Sequence, residues 1–400
     1  MPGRVEILGK HTDYAGGRSI LGALDRGIVI AATPRPDGLV RLTDAARGFR
    51  AEFPLDPDLM PVAGRWATYP MTVARRLARN FPEARRGADL TFASDLPSAA
   101  GMSSSSALVV AIFLALAEMN RLADTAAWRD HLAAPASLAG YLGCIENGQS
   151  FGPFAGDRGV GTFGGSEDHT AILCCRAGVL SQFAFCPVRA EGEIAWPAGQ
   201  RLLIAVSGIR ASKTGGARER YNRAALAAAQ VLKRWKAVSG RSDSTLAAVA
   251  SVPGAIDELR ELLRSDHEPT FPSGHLLARF EQFLEESEVL IPAAKSALGR
   301  GDLAAFGELV DRSQAAAEWG LGNQVPETIG LTRSARELGA VAASAFGAGF
   351  GGSVWAMVAE GRALDFAREW AARYRQDFPV PSLRSEFLVT APGPGARRLD

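Results

Sequence analysis

The chain has 400 residues, too many for a single small hydrophobic core, and this length suggests two domains. A hydrophobic content of 47% and a charged content of 22% are ordinary for a globular protein, and the net charge of +1 argues against nucleic acid or a membrane surface as a partner. The four cysteines lack a metal-binding spacing, which predicts buried, reduced thiols and a cytoplasmic protein, and the N-terminus has no apolar signal region.

The first predicted strand, residues 3–9, leads into a polar turn that comprises Lys10, His11, Thr12, Asp13 and Tyr14. Most polar turns are only surface. A cation, an imidazole, a carboxylate and a phenol within five positions are nevertheless the groups that would hydrogen-bond a polyol. Further strands are predicted over 19–33, 39–43 and 49–53.

A helix is predicted over Trp66–Phe81, with Trp66 and Tyr69 three residues apart on one face. A strand over 88–94 then leads into Pro97–Ala107, which reads PSAAGMSSSSA and precedes an uncharged helix over 108–117. A glycine that lets the backbone approach, followed by serines at a helix start, is suited to hold an anion such as phosphate. Alternatively, the serines only cap a core helix.

A second helix is predicted over 135–149 and carries Glu146. After the glycine-rich stretch 151–165, Asp168 follows a Gly-Gly turn and precedes a buried segment, so it is either a helix cap or a positioned base. His169 beside it is more simply explained as a packed histidine. Glu146 alone, on its helix, carries little information.

The second half of the chain is mainly helical, and we expect a domain boundary near 195–200 that divides residues 1–197 from 198–400. Strands are predicted over 178–186, 201–207, 354–358 and 387–390, and helices over 213–238, 244–264, 275–298, 302–315, 327–338 and 363–374. Residues 266–272 read as a surface connection and 392–400 as a loose tail. Phe346–Ser353 is rich in glycine and reads as a tight turn before a strand.

Three motifs in this order resemble the GHMP kinase superfamily and, within it, the galactokinase family most closely. Residues 3–14 resemble the signature G-R-V-N-L-I-G-E-H-T-D-Y, residues 97–107 are similar to the loop P-x-G-x-G-L-S-S-S-A, and residues 347–353 resemble G-A-G-F-G-G-S. Three shorter segments also resemble family segments, namely residues 66–69 (W-x-N-Y), 165–168 (G-I-M-D) and 221–223 (Y-N-x-R). The resemblance runs from residue 3 to about residue 358.

The resemblance implies an α+β fold of two domains with the active site in the interdomain cleft, and ATP-dependent, Mg²⁺-assisted phosphoryl transfer to the C1 hydroxyl of galactose or a galactose-like monosaccharide. It implies Asp168 as catalytic base with Arg4 beside it, and Ser105 and Glu146 as Mg²⁺ ligands. It also implies His11, Asp13, Gly165 and Tyr221, with Lys10, as sugar-binding residues. ATP would contact Trp66, Tyr69, Gly101, Ser103, Ser104, Ser105 and Gly349.

Several residues depart from the family pattern. Lys10 stands where galactokinases have a glutamate that contacts the outer hydroxyl of the sugar. We hypothesise a sugar modified at C6, such as galacturonate, whose carboxylate pairs with Lys10; alternatively Lys10 turns to solvent and galactose still binds. Glu167, Gln314 and Ala224 also differ from the family residues.

Two other functions remain open, a kinase for another small alcohol and a sugar sensor that binds ATP without turnover. We expect a monomer. The first motif lies at the start of the chain, which is explained either by a natural start further upstream or by a shortened first strand.

Overall fold

The computed structural model describes residues 1–62, 66–210, 216–264 and 270–399, and we refer to it as the structure. Runs of strands and runs of helices follow one another along the chain, which confirms the predicted α+β class. The strands are β1 (Pro2–Leu8), β2 (Arg18–Arg35), β3 (Leu39–Asp44), β4 (Arg50–Pro54), β5 (Gly87–Ser94), β6 (Val179–Ala184), β7 (Arg189–Ala195), β8 (Gln200–Val206), β9 (Ala342–Phe346), β10 (Ser353–Ala359), β11 (Glu386–Thr390) and β12 (Pro392–Gly393).

The strands of the described ranges form two sheets. The larger sheet has the order β4-β3-β5-β2-β6-β7, and both β1 and β12 pair with β2. The smaller sheet has the order β11-β8-β10-β9 and is antiparallel throughout. The chain leaves the larger sheet at Ala195 and enters the smaller one at Gln200. The division into domains 1–197 and 198–400 stays a prediction, because β12 returns to the larger sheet.

The helices pack on these sheets and on one another. They are α1 (Thr68–Asn80), α2 (Ser104–Met119), α3 (Ala126–His131), α4 (Pro135–Asn147), α5 (Glu167–Cys174), α6 (Gly216–Ser239), α7 (Leu246–Ala250), α8 (Ala255–Arg264), α9 (His275–Leu284), α10 (Ile291–Gly299), α11 (Leu303–Ala316), α12 (Pro326–Glu337) and α13 (Ala363–Asp377). A π-helical segment, Glu285–Leu290, joins α9 to α10 without a break. No helix in the described ranges is both long and apolar enough to cross a membrane.

The core explains why α2 lacks an apolar stripe: Val110, Ile112 and Phe113 point to different sides of the helix, and all three are buried because α2 packs against both β2 and α1. Burial of one such side chain contributes about 1.5–3 kcal/mol, so α2 is anchored firmly. The loop that precedes α2 is therefore attached to a rigid element.

Several sequence predictions are wrong in detail. Strands β7 and β9 and helix α3 were not predicted, and the predicted helix 244–264 is broken between α7 and α8, where Pro253 and Gly254 stand. Trp66 precedes α1, which begins at Thr68. Residues 213–215 of one predicted helix and 266–269 of the predicted connection lie outside the described residues. The cysteines are unpaired as expected, but Cys186 is exposed.

The tail is not loose. Beyond β12, the backbone N–H groups of Gly395 and Ala396 donate to the carbonyl oxygens of Cys175 and Ile172, at 3.0 and 2.6 Å. These carbonyls lie at the C-terminal end of α5, where helical partners run out. The tail thus completes the hydrogen bonding of that helix end.

Candidate active site

A cavity lies where β1, the polar turn after it, α5 and the glycine-rich loop 347–352 meet. Side chains and backbone from distant parts of the chain line it: Arg4, Glu6, His11, Asp13, Tyr14, Glu146, Thr162, Gly164, Gly165, Glu167, Asp168, His169, Tyr221, Gly347 and Ala348. Most of the residues predicted to bind sugar or perform the chemistry are in this set. The structure therefore brings the first motif, residues 165–168 and the glycine-rich loop to one place.

Asp168 is held by Arg4 through a hydrogen bond from Nε and an ion-pair contact of Nη2. Strand β1 carries the arginine, and its Nε and Nη2 lie 2.8 and 2.7 Å from Asp168 Oδ1. The same guanidinium donates from Nη1 to the Gly101 carbonyl at 2.5 Å. Asp168 lies in the first turn of α5, where the helix dipole also favours a negative charge. This arrangement suits a fixed, ionised carboxylate.

Ser106, not the predicted Ser105, is the hydroxyl that contacts Glu146. Its Oγ lies 2.9 Å from Glu146 Oε1 and 3.2 Å from Asp168 Oδ2. Ser106 lies in the first turns of α2, one position after Ser105. The assignment of Ser105 as a metal ligand stays a prediction, and Ser106 is the α2 hydroxyl for which the structure shows a contact with Glu146. A buried carboxylate beside a hydroxyl supplies the hard oxygen ligands that Mg²⁺ prefers.

His169 was set aside in the sequence as a packed residue, yet it lines the cavity. Its Nε2 lies 3.6 Å from Glu146 Oε1, and neither ring nitrogen has a hydrogen-bond partner among the described groups. Within the described ranges, no group of three His, Cys, Asp or Glu side chains is arranged to hold a metal. A cation at Glu146 would thus depend on ligands from its substrates or from water.

The predicted sugar-binding residues are close together. His11 contacts Tyr14 Oη through Nδ1 at 3.0 Å and the Ala348 carbonyl through Nε2 at 3.1 Å, and its ring centroid lies 5.2 Å from that of Tyr221. Asp13 Oδ2 accepts a hydrogen bond from the Glu167 backbone N–H at 3.1 Å. A Cβ at Gly165 would lie 2.4 Å from Asp13 Oδ2, so only glycine fits there.

Lys10 is placed differently from both expectations. It is 1% exposed, so the alternative in which it turns to solvent is wrong. Its Nζ donates to Ser313 Oγ at 2.9 Å, and Lys10 is absent from the described residues that line the cavity. The assignment of Lys10 as a direct sugar ligand stays a prediction; in this structure the Lys10 side chain lies behind the residues that line the cavity.

The predicted phosphate loop has the backbone expected of an anion site. Gly101 and Ser103 both have positive φ angles, +77° and +58°, and α2 begins directly afterwards at Ser104. Ser103 Oγ is buried without a hydrogen-bond partner among the described groups, which leaves a hydroxyl for an incoming oxygen. These features fit the phosphates of a nucleotide.

The glycine-rich loop 347–352 packs against this phosphate loop. A Cβ at Gly347 would lie 2.8 Å from the Gly101 carbonyl oxygen, and Ser353 Oγ donates to the Ala100 carbonyl at 2.6 Å. Gly349 packs instead against Asn323, whose Nδ2 would lie 2.5 Å from an added Cβ. The loop forms the turn of the β9–β10 hairpin, as the sequence predicted. Glycine is needed at positions 347 and 349 because neighbouring atoms approach too closely for a Cβ.

Trp66 and Tyr69, predicted to contact the adenine, lie at the start of α1. Trp66 stacks on Phe49, with ring centroids 6.4 Å apart, and Phe49 is 52% exposed. Tyr69 is partly buried in the first turn of the helix. Their contact with a nucleotide stays a prediction.

Glu6 and Glu167 line the cavity although neither was assigned a site role from the sequence. Burial raises the pKa of Glu167 well above its usual range, and the Glu6 and Asp13 carboxyls raise it further against the opposing effects of Arg4 and Ser19. Burial also raises the pKa of Glu6, against Lys10 and Arg4. The sequence did contain a sign that position 6 is unusual, because Glu6 stands where the family signature has asparagine.

Comparisons with known proteins agree with this geometry. Three family models match: the galactokinase galactose-binding signature at residues 2–34, the GHMP kinases N terminal domain at 68–142 and the GHMP kinases C terminal domain at 294–376. The chain is 28% identical to a galactokinase of Chloroflexus aggregans, over 93% of this chain and 86% of that protein. It is also 28% identical to a galactokinase of Streptomyces coelicolor, over 100% of this chain and 93% of that protein.

Solved structures show the same fold. The Lactococcus lactis galactokinase complexed with galactose superimposes with a TM-score of 0.81 at 22% identity, over 100% of this chain and 94% of that one. The L. major mevalonate kinase in complex with R-mevalonate gives a TM-score of 0.56 at 16% identity, over 99% and 95%. The TM-score is therefore higher for the galactokinase structure than for the mevalonate kinase structure.

Proposed function

The chain belongs to the GHMP kinase superfamily, and we propose that it is an ATP-dependent sugar kinase that phosphorylates the anomeric (C1) hydroxyl of galactose or a galactose-like monosaccharide. The observation that carries the proposal is the Arg4–Asp168 pair, held between the sugar-binding residues and the phosphate loop. The galactose-binding signature at residues 2–34 and the relatives named galactokinase support the choice of sugar.

Asp168 is the base in this proposal. Its carboxylate takes the proton of the sugar hydroxyl as that oxygen attacks the γ-phosphorus of ATP, and the bond from phosphorus to the β,γ-bridging oxygen breaks. Arg4 fixes the carboxylate through its Nε and Nη2 atoms, so the base needs little reorganisation during the reaction. A positioned base typically contributes about 10²–10⁴-fold to the rate.

The phosphate loop would hold ATP through the N-terminal N–H groups of α2 and the Ser103 hydroxyl. Glu146 and Ser106 are the residues that would hold Mg²⁺, which when bound neutralises charge on the transferred phosphoryl group. The sugar would be oriented by His11, Asp13, Gly165 and Tyr221. Each of these roles rests on the position of the residue in the cavity.

The test is release of ADP from Mg·ATP with galactose, galacturonate, arabinose, glucose, mannose or no sugar. We expect turnover with galactose and a product that carries phosphate on C1, identified by NMR. No turnover with any sugar, while ATP still binds, would overturn the proposal in favour of a sensor. Turnover with galacturonate alone would overturn the choice of sugar.

A further inference from the structure

Glu6 projects a buried carboxyl into the cavity. Its side chain is 2% exposed, and Oε2 accepts a hydrogen bond from the Gly347 backbone N–H at 3.3 Å. The other oxygen, Oε1, is buried and accepts no hydrogen bond from a described protein donor. Because an unpaired buried acceptor costs about 1–3 kcal/mol, this oxygen is suited to a donor that arrives with a ligand.

Lys10 supports Glu6 from behind the cavity wall. Its Nζ donates to Ser313 Oγ at 2.9 Å, and that hydroxyl donates to Glu286 Oε1 at 2.9 Å. Glu286 also accepts from the Gly9 backbone N–H at 2.7 Å, which fixes the turn that carries Lys10. The ammonium is thereby fixed where its charge acts on Glu6 without reaching the cavity.

The cavity around Glu6 is rich in carboxyls. Glu167 is buried near Glu6, and the Glu6 carboxyl is among the groups that raise the pKa of Glu167. Glu167 Oε2 accepts from Ser19 Oγ at 2.6 Å, so this carboxyl is also fixed. Asp13, Glu146 and Asp168 line the same cavity, and Arg4 is the guanidinium that faces them. A ligand that brought a further carboxylate would meet repulsion.

We propose that Glu6 selects the sugar: its Oε1 accepts a hydrogen bond from a hydroxyl of the substrate, and Lys10 is the positioning residue that holds the carboxyl in place. The substrate is accordingly a neutral hexose, and a sugar that carries a carboxylate is rejected. This inference rests on the proposed function and names the substrate class of that site. The galactokinase signature has asparagine at position 6 and glutamate at position 10, whereas this chain has Glu6 and Lys10. The carboxylate is therefore at position 6 in this chain and at position 10 in the signature.

The test measures sugar binding by calorimetry in the absence of turnover. Galactose, its 2-, 3-, 4- and 6-deoxy derivatives and galacturonate are titrated into the wild type and Glu6→Gln, with Asp44→Asn as the control that removes a buried carboxylate outside the cavity. A second variant, Glu6→Asn, restores the family residue and serves if Glu6→Gln does not fold. Circular dichroism establishes folding for each variant.

We expect Glu6→Gln to weaken galactose binding by about 10–100-fold, the loss for a hydrogen bond to a charged group. One deoxy derivative lacks the hydroxyl that faces Glu6, and for that sugar the wild type and the variant should bind equally. The wild type should bind galacturonate at least about 10-fold more weakly than galactose, and Glu6→Gln should narrow that difference. Asp44→Asn should leave the relative affinities for the sugars unchanged.

Two results overturn the inference in different ways. Equal losses for all the sugars in Glu6→Gln, or wild-type binding of galacturonate as tight as that of galactose, would overturn the role of Glu6 alone. Binding of Mg·ATP without binding of any sugar would overturn the proposed function and this inference with it.

Discussion

The two sides of the cavity handle buried charge differently. On one side, the Asp168 oxygens have donors from Arg4 and Ser106, so the carboxylate is compensated by fixed hydrogen bonds. On the other side, Glu6 and Glu167 crowd together, and burial raises the pKa of both. The comparison teaches that the first side is built to keep a negative charge, whereas on the second side burial and neighbouring carboxyls oppose such a charge.

The largest expected effect comes from removing the charge on the compensated side. Asp168→Asn should lower kcat by about 10²–10⁴-fold, because the amide cannot take the proton of the sugar hydroxyl. ATP binding, measured by calorimetry, should be retained.

Asp311→Asn is the matched control, since Asp311 is also paired with an arginine, Arg336, but lies outside the cavity. Wild-type kcat in Asp168→Asn would contradict the assignment of the base.

Lys10→Met tests the crowded side through stability. The variant removes a buried ammonium that donates to Ser313 and favours the charged form of Glu6, and loss of one partner from a buried ion cluster costs about 3–5 kcal/mol. Urea denaturation should therefore show a large fall in the free energy of unfolding.

Lys295→Met is the control for the loss of an ammonium group, because Lys295 donates to the Glu191 carbonyl in a partly buried position away from the cavity. Equal losses in both variants would mean that Lys10 contributes no more than an ordinary lysine.

The pH dependence of stability separates the two sides further. The raised pKa keeps a proton on Glu167 in the folded protein above about pH 4.3, where the unfolded chain has lost it. The folded state then binds more protons, so the free energy of unfolding falls as pH rises, by up to about 1.4 kcal/mol per pH unit for one proton. Glu167→Gln should flatten this slope in urea denaturation between pH 5 and 8.

Glu52→Gln is the comparison variant, as Glu52 is exposed and paired with Arg41 on the surface. If the free energy of unfolding had the same pH slope in the wild type and Glu167→Gln, Glu167 would not be the group that holds this proton.

The smallest expected effect concerns Ser106. Ser106→Ala removes the hydroxyl between Glu146 and Asp168, and we expect kcat to fall about 10-fold and the Mg²⁺ concentration for half-maximal rate to rise, with the KM for sugar unchanged. Ser334→Ala removes a buried hydroxyl from the distant packing of α12 against α13 and should change neither quantity. An altered KM for sugar in place of kcat would contradict the position we give to Ser106.

The sequence predicted which motifs would meet but not where individual side chains would point. Arg4, Asp168 and Glu146 were found because their chemistry is specific and their spacing follows a family pattern. The direction of the Lys10 side chain was not predicted, because it depends on Glu286 and Ser313, which are about 300 residues away in the chain and carry no local signal. Strand β9 was missed for a similar reason, since its alanines become a strand only by pairing with β10.

The ends of the chain have a consequence for biosynthesis. Strands β1 and β12 both pair with β2, and Arg4 and Gly393 face the same residue, Ala23. The residues after β12 close the end of α5, the helix that carries Asp168. The sheet that holds the arginine and the helix that holds the aspartate therefore gain their full hydrogen bonding only when residues 392–396 have left the ribosome. A nascent chain that has not reached residue 396 lacks these contacts, so the site that joins Arg4 to Asp168 is assembled late in synthesis.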